Sequence, residues 1–341
     1  MVMASEFWFG STPDGLAHGF RQIGWDVCHV DRRSHFLHSH QLGLRLLARA
    51  THRLSAAAYN EAILRAADAV QPSAFVTVKG TSIRPATLMA LKSRGIITIN
   101  YYPDFHFDHG GLDPSTFRLY DRFITTKSFQ LDDLKRRLDP RRVGFLPHGY
   151  GSHVHYPRAE AVSEEEYICD VGYAGAYSPY KARWLLAVAR RLPEAQLRIM
   201  GPGWRQRARN AELERYVLGH ELNGDSYCRA LQHIRINIAI HFGPAGRRNW
   251  QDNVSTRTFE IPACKGFMLH IDNAEVRELF EAGREIDVFR TEDELCEKIR
   301  YYLARPELRR EMIERAYERC VPAYSYDARA KALANDIIPW G

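Results

Sequence analysis

The sequence predicts an α/β protein built from two doubly wound domains, each a parallel sheet covered by helices. Short runs of β-branched and aromatic residues alternate along the chain with amphipathic helical stretches, which is the pattern of βαβ units. A length of 341 residues exceeds what one hydrophobic core usually organises, so two domains are expected. A segment rich in turn formers, residues 147–152, separates the two halves.

The first half is predicted to contain six strands, each ending near turn-forming residues. They cover residues 6–10, 25–30, 74–79, 96–101, 122–126 and 143–146. Apolar residues recur at helical spacing between these runs and predict the intervening helices. Those helices cover residues 15–23, 42–53, 59–69, 85–93 and 129–138.

The second half repeats the scheme. Its predicted strands cover residues 168–173, 196–200, 234–241, 267–270 and 287–289. Its predicted helices cover residues 181–190, 226–232, 257–264, 274–279, 292–304 and 306–320. We expect domains at 1–155 and 156–323, and a last helix within 324–341 that packs back on the first domain.

Composition limits the class of protein. An apolar fraction of 45% and a charged fraction of 26% are ordinary for a globular protein. No apolar run approaches the roughly 18 residues that span a bilayer, and the first residues lack the cationic and apolar regions of a secretion signal. The six cysteines are far apart without C-x-x-C pairing, which argues against a zinc site and a disulfide scaffold. A cytoplasmic protein is therefore expected.

The charge is unevenly distributed along the chain. Residues 1–157 contain 19 Lys and Arg against 13 Asp and Glu, whereas residues 158–341 contain 28 of each. A basic first half favours an anionic acceptor, peripheral contact with an acidic membrane surface, or nucleic acid. The alternative is a solvated face that only aids solubility.

The most informative segment is residues 252–266, a polar turn that runs into a short apolar helix. Ser255, Thr256 and Thr258 suit the start of a helix, where backbone N–H groups and the helix dipole attract phosphate. Arg257 adds a forked cation for phosphate oxygens. This segment is predicted to bind a nucleoside diphosphate.

Two carboxylates flank the same turn, eight positions apart. Glu260 lies about one turn inside the predicted helix, where it can accept hydrogen bonds from two vicinal ribose hydroxyls. Asp252 precedes the turn and is placed to reach a sugar beyond the phosphates. The alternative for Glu260 is an ordinary solvated carboxylate on a helix.

The second half resembles the CgeB-like (spore-maturation type) branch of the group 1 glycosyltransferases, which have the GT-B fold. The resemblance is carried by STRTFEIPAC at 255–264, ELF at 278–280, GRE at 283–285, TEDEL at 291–295, KIRYYL at 298–303 and YSYDAR at 324–329. Comparable strand ends are DVGYAG at 170–175 and IMGPGW at 199–204. In the first half only VKG at 78–80 and YPD at 102–104 match.

The resemblance implies transfer of a sugar from a nucleoside-diphosphate sugar to an acceptor hydroxyl, with the donor on the second domain and the acceptor on the first. Glu260 matches the second, ribose-binding Glu of the family's E-x7-E pair. Asp252 takes the first position and is one methylene shorter. The spacing favours retention at the anomeric carbon. No metal and no cofactor besides the donor are implied, since such enzymes stabilise the leaving diphosphate with protein groups.

Two further turns at predicted strand ends are candidates for the diphosphate. Gly175, Tyr177 and Lys181 follow the first strand of the second half, and Gly201 and Gly203 follow the next. Relatives carry an Arg just after the first Gly, where this chain has Ala176, and a Lys some five residues later, which Lys181 matches. The alternatives are plain turns and a surface lysine.

In the first half, Gly10 and Asp14 lie where the first strand meets its helix and are candidates for the acceptor. Asp104 and His106 follow the fourth predicted strand, and both are candidate general bases, with Asp104 also assigned to the acceptor. The alternation of Asp and His through Asp108 and His109 permits a metal hypothesis that we rank low. The alternative is a loop whose polar side chains only hydrogen-bond to neighbouring backbone groups.

Two other functions remain open at this stage. The first is a nucleotide-sugar-binding protein without turnover, which Ala176 and the short Asp252 favour. The second is a transferase acting on modified DNA bases, which only the basic first half favours. A dinucleotide-dependent enzyme is disfavoured because no G-x-G-x-x-G opens either half.

Overall fold

The structure is a computed structural model that describes residues 1–37, 41–107, 111–207, 211–219, 222–244 and 250–337. The chain divides into two compact units, one formed by Met1–His148 with the last helix and the other by Gly149–Ser325. Residues 149–155, assigned to the first domain from the sequence, lie in the second unit. The Val154 carbonyl accepts a hydrogen bond from Cys228 Sγ, and Tyr150 N donates to Tyr324 O.

The first unit contains a parallel six-stranded sheet in the order β2-β1-β3-β4-β5-β6. Its strands are β1 Val2–Ser5, β2 Cys28–Asp31, β3 Ala74–Val78, β4 Ile97–Tyr102, β5 Arg122–Thr125 and β6 Val143–Phe145. Its helices are α1 Thr12–Gln22, α2 Leu42–Val70, α3 Pro85–Ser93, α4 Leu131–Arg137 and, from the end of the chain, α13 Tyr326–Ile337.

Helix α13 packs against α1, as the sequence analysis expected of the last helix. Gly15 and Gly19 leave room for this contact, because a Cβ at either position would run into Tyr326. The Thr12 hydroxyl is 2.9 Å from Tyr326 Oη. Leu333 of α13 is buried in the same core as Phe20 of α1.

Two elements of the first unit differ from the sequence-based expectation. The first strand is Val2–Ser5 and not residues 6–10, because the aromatic run that looks like a strand is a loop in which Trp8 and Phe9 are exposed. The predicted helices at 42–53 and 59–69 are one helix, Leu42–Val70. No helix-breaking residue lies between them, and Ala56 and Tyr59 are buried in the joining turn.

The second unit contains a parallel five-stranded sheet in the order β11-β10-β9-β7-β8. Its strands are β7 Cys169–Ala174, β8 Leu197–Met200, β9 Ile234–Ala239, β10 Met268–Ile271 and β11 Asp287–Phe289. Its helices are α5 Pro179–Arg191, α6 Trp204–Arg207, α7 Ala211–Glu214, α8 Gly224–Gln232, α9 Arg257–Ala263, α10 Ala274–Leu279, α11 Glu292–Leu303 and α12 Pro306–Cys320. The short helices α6 and α7 were not predicted.

The strand order of the second sheet identifies where that sheet can bind a ligand. In the second sheet β7 lies between β8 and β9, so the connections after β7 and β8 lead to opposite sides. The carboxyl ends of strands at such a switch point form a crevice, which is the usual ligand site of open α/β sheets. Within the described ranges, no helix is both long enough and apolar enough to cross a membrane.

Candidate functional site

A cavity of about 200 Å³ opens at the carboxyl edge of the second sheet, at the ends of β7 and β9. The connections that follow these two strands lead in opposite directions along the sheet. Four segments that are distant in sequence line the cavity: the end of β7 with the loop after it, the end of β8 with the loop after it, the start of α8 and the first turn of α9. Its lining residues are Ala174, Gly175, Ala176, Met200, Gly201, Pro202, Leu222, Tyr227, Thr256, Arg257 and Glu260. Five of the predicted nucleotide-binding residues are thereby brought together.

The loops after β7 and β8 are joined tightly at two glycines. Gly175 N donates to the Met200 carbonyl at 2.8 Å, and Trp204 Nε1 donates to the Gly175 carbonyl at 2.8 Å. Gly201 has a φ of +123°, and a Cβ there would clash with the Gly175 carbonyl. Only glycine fits this approach, so the two loops form a fixed wall of the cavity.

Arg257 places its guanidinium directly beside Gly175. A Cβ on Gly175 would be 2.5 Å from Arg257 Nη1, and the guanidinium carbon is 5.4 Å from the centroid of the Tyr173 ring. Nη2 donates to the Ile240 carbonyl at 3.3 Å, while Nε has no hydrogen-bond acceptor among the described residues. Burial acts to lower the pKa of Arg257, but nearby Tyr173 and acidic groups raise it overall, so the group is a permanent cation in the cavity wall.

Glu260 is held from two sides. Tyr227 Oη donates to Glu260 Oε2 at 2.8 Å, and His155 Nε2 is 3.7 Å from Glu260 Oε1. Gly151 N donates to His155 Nδ1 at 3.0 Å, so the neutral ring carries its proton on Nε2, facing the carboxylate. Glu260 is 8% exposed. It therefore presents a fixed carboxylate at the cavity edge.

The two partners of Glu260 keep the protonation states that this arrangement needs. Burial, assisted by the Glu260 carboxylate, holds the pKa of Tyr227 well above its ordinary value, so the phenol keeps the proton that it donates. Burial lowers the pKa of His155, although Glu260 acts in the opposite direction. Sequence reasoning missed both residues, because nothing local in the sequence links α8 or the 149–155 segment to α9.

The hydroxyl groups at the start of α9 do not all face the cavity. Thr256 lines it, and the Ser255 hydroxyl is buried without a hydrogen-bond partner among the described residues. Thr258 was also predicted to bind the diphosphate, but its hydroxyl points into the core. Ser255 N donates to Thr258 Oγ1 at 3.2 Å, and His270 Nε2 is 3.0 Å from the same oxygen.

His270, which lies behind Thr258, makes the stability of the protein dependent on pH. Burial lowers the pKa of His270 to about 4, and its Nδ1–H donates to the Ile271 carbonyl at 2.7 Å. An unfolded histidine has a pKa of about 6.5, so the unfolded chain takes up this proton first as the pH falls. Stability is then complete above pH 6.5 and is lost progressively down to about pH 4.

We expect His270 to account for about 3 kcal/mol of this loss, because its pKa is about 4 in the folded protein and about 6.5 in the unfolded chain. Urea unfolding between neutral pH and pH 4 measures it, with His270→Gln as the comparison. The variant should show a flatter pH dependence because an amide does not titrate. Parallel profiles for the two proteins would contradict the assignment.

Three other predicted diphosphate residues lie near the cavity without lining it. Lys181 is buried, donates from Nζ to the Ala176 carbonyl at 3.2 Å and lies 4.5 Å from the centroid of the Phe242 ring. Tyr177 packs edge-on against Trp204. Gly203 adopts a φ of +84° in the turn that begins α6.

Asp252, the proposed sugar-contacting residue, is buried and does not line the cavity. Its backbone N–H donates to the Phe242 carbonyl at 3.0 Å, and its charge contributes to raising the pKa of Arg257. The structure thus places it near Arg257 and outside the lining of the cavity. A direct role at the sugar remains a prediction.

In the first unit, Gly10 and Asp14 lie at the start of α1. Gly10 N donates to Asp14 Oδ2 at 3.0 Å, and Asp14 N donates to Ser11 Oγ at 3.3 Å. Ser11 is thus the cap of α1, and Asp14 ties the preceding loop residue to the first turn of that helix. This contact explains the acid at position 14 without an acceptor, so the acceptor role of both residues remains a prediction.

The candidate bases follow β4. Asp104 Oδ2 is 2.9 Å from Lys79 Nζ, and the Asp104 carbonyl accepts from Gln130 Nε2 at 2.9 Å. His106 is exposed, and its ring packs edge-on against Phe105. Asp108 and His109, part of the low-ranked metal hypothesis, lie outside the described residues. Among the residues that are described, no group of three or more His, Cys, Asp or Glu could hold a metal ion.

Comparison with known proteins agrees with this architecture. Residues 180–335 match a family described as glycosyl transferase-like. No curated protein is detectably similar in sequence. Among solved structures, sucrose-phosphate synthase from Thermosynechococcus elongatus aligns with a TM-score of 0.67 at 15% identity over 98% of both chains.

Two further structures align over nearly the full length. A glycosyltransferase from Rickettsia africae has a TM-score of 0.63 at 11% identity, covering 99% of this chain and 98% of its own. Anabaena HepE, solved in complex with UDP, has a TM-score of 0.60 at 10% identity over 99% of both chains.

The two Rossmann-like domains therefore form a glycosyltransferase fold of the GT-B class. The family match is confined to residues 180–335, and the solved structures share the fold of the whole chain.

Proposed function

We propose that the protein is a metal-independent glycosyltransferase of the CgeB-like type that takes a sugar from a nucleoside-diphosphate donor bound by the second domain. One observation carries the proposal: the cavity at the β7/β9 switch point contains a permanent cation, Arg257, and a fixed carboxylate, Glu260, both on the first turn of α9. A nucleoside diphosphate needs both, a cation for its phosphates and an acceptor for its ribose hydroxyls.

The arrangement of the cavity gives each group a role. Glu260 accepts hydrogen bonds from the ribose, and its fixed orientation lowers the cost of ordering it on binding. Arg257, beside Gly175, takes up the charge that develops as the nucleoside diphosphate leaves. The Asp252–Glu260 spacing favours a retaining reaction. Asp104 and His106 of the first domain are the proposed acceptor-side residues.

The position of Arg257 also bears on the rival function, a sugar-nucleotide-binding protein without turnover. That rival rests on the short Asp252 and on Ala176, which stands where relatives carry an arginine. The Arg257 guanidinium lies against Gly175, the residue just before Ala176, and so supplies a cation to the same wall. This supports an enzyme whose phosphate-binding arginine comes from α9.

Thermal unfolding with added nucleotides tests the proposal. A ligand that binds only the folded protein raises the melting temperature, by an amount that grows with concentration. We expect UDP, which HepE binds in its crystal, or another nucleoside diphosphate to shift it, and the matching free nucleoside to do so less. Release of free diphosphate from a panel of donor sugars then separates an enzyme from a binding protein. No shift with any nucleotide would contradict the proposal.

A further inference from the structure

Helix α2 of the first unit carries a set of exposed leucines in its first half. Leu44, Leu47 and Leu54 are 41%, 47% and 72% exposed, and Leu46 is also exposed. Single exposed leucines are common in soluble proteins, but a cluster on one helix marks an interaction surface. We call Leu44, Leu47 and Leu54 the leucine face of α2.

The leucine face points away from the core of its unit. Leu44, Leu47 and Leu54 are spaced i, i+3 and i+10, which puts them on one side of a helix. The second half of α2 packs on the core through Ala56, Tyr59, Ile63 and Ala67. At 3.6 residues per turn, the centres of the two sets lie about 150° apart around the axis. The same helix therefore buries one side and presents another to the outside.

The stretch of sequence that carries the leucine face has only positive charges. The sequence has no Asp or Glu between Asp31 and Glu61, while it has five arginines in that interval. Arg49 and Arg53, which lie in the exposed half of α2, are themselves exposed. A helix with leucines on one side and arginines on the other is the type that lies in the surface of an anionic membrane.

We propose that the first half of α2 docks the protein on an anionic lipid surface, with the leucine face inserted at the headgroup boundary and Arg49 and Arg53 near the lipid phosphates. Charge complementarity selects this occupant. A second copy of the chain would bring the same arginines against each other, and nucleic acid would leave the leucine face in water. The proposal is independent of the nucleotide site.

Co-sedimentation of the full-length protein with lipid vesicles tests the surface. We expect binding to phosphatidylcholine vesicles that contain phosphatidylglycerol, little binding to pure phosphatidylcholine, and a decrease of binding with added salt. Equal binding to both kinds of vesicle, or to neither, would overturn the proposal.

Two sets of variants separate the apolar and electrostatic contributions. Leu44→Gln, Leu47→Gln and Leu54→Gln combined should weaken binding on the order of a hundredfold, because the inserted surface is lost. Arg49→Gln with Arg53→Gln should weaken it roughly thirtyfold. All five side chains are exposed, so the melting temperature should stay at the wild-type value.

Matched controls remove the same chemistry elsewhere in the first unit. Met89→Gln removes another exposed apolar side chain, and Arg118→Gln with Arg136→Gln removes the same charge outside α2. These variants should bind vesicles like the wild type. If they lose binding equally, net charge alone acts and the surface is wrongly assigned.

Two other outcomes would replace the lipid surface with a different partner. A leucine variant that binds vesicles normally while duplex DNA competes for binding would indicate a general polyanion site. A wild-type dimer in sedimentation velocity that the leucine variant converts to a monomer would indicate that a second copy covers the face. Either result overturns the proposal.

Discussion

Replacing Glu260 with alanine is expected to raise the Kd for UDP about thirtyfold. The carboxylate is proposed to accept hydrogen bonds from the ribose, and hydrogen bonds to a charged group contribute about 2 kcal/mol. The variant also leaves the Tyr227 hydroxyl without its acceptor in a buried position. Calorimetric titration of UDP measures the change, and Glu297→Ala, an exposed glutamate of the same unit, should leave the Kd unaltered.

The choice of ligand makes this prediction specific to the ribose. Wild-type protein should bind UDP more tightly than 2′-deoxy-UDP, because the deoxy compound lacks one of the two hydroxyls that Glu260 is proposed to bind. The Glu260→Ala variant should bind the two ligands equally. Tyr227→Phe keeps the carboxylate but loosens it, so a smaller loss of affinity with the preference retained is expected. An alanine variant that still prefers the ribonucleotide would remove Glu260 from the ribose site.

The fold could be predicted from the sequence because local patterns determine most of its elements. Helix α12 begins at Pro306 and ends at Cys320 as predicted, since proline favours the first turn and the apolar spacing is regular. The first strand was misplaced for an equally local reason. Residues 7–9 are aromatic like a strand, yet Trp8 and Phe9 are exposed, and the true strand is the preceding run. Burial is a tertiary property that such a short pattern does not determine.

The candidate site was predictable to the extent that strand ends and helix faces determine it. Gly175 and Gly201 meet because consecutive parallel strands end at the same edge. Thr256 and Glu260, four residues apart, share one face of α9, whereas Thr258 lies on the other and bonds to the core. An error of one residue in a predicted boundary does not change which strand ends meet. It does change which hydroxyls of α9 are predicted to face the ligand.

The partners of Glu260 could not be predicted in this way. Tyr227 lies 33 positions before Glu260 on another helix, and their contact depends on how α8 packs beside α9. His155 is in a segment that the sequence assigned to the other domain. Such supporting residues determine how firmly a binding group is held. The sequence pattern predicted the binding group, Glu260, but not the two residues that hold it.

The second large effect is expected at Arg257. Arg257→Met should lower kcat for donor turnover by two to three orders of magnitude, on the order of 3–4 kcal/mol, because the guanidinium is proposed to stabilise the charge of the departing diphosphate. Methionine fills a similar volume without a charge, so the core behind Tyr173 should stay packed. Arg183→Met, which removes an exposed arginine from the same unit, is the control for net charge.

Comparison of UDP with UMP locates the effect on the phosphates. Loss of Arg257 should weaken UDP binding much more than UMP binding, since the second phosphate loses its cation while the uridine contacts remain. Arg257→Lys should recover only part of kcat. The planar guanidinium can reach two phosphate oxygens while it donates to the Ile240 carbonyl, and an ammonium lacks this geometry. If the methionine variant turned over donor at the wild-type rate, another cation would have to stabilise the departing diphosphate. The buried Lys181 would then be the next residue to test.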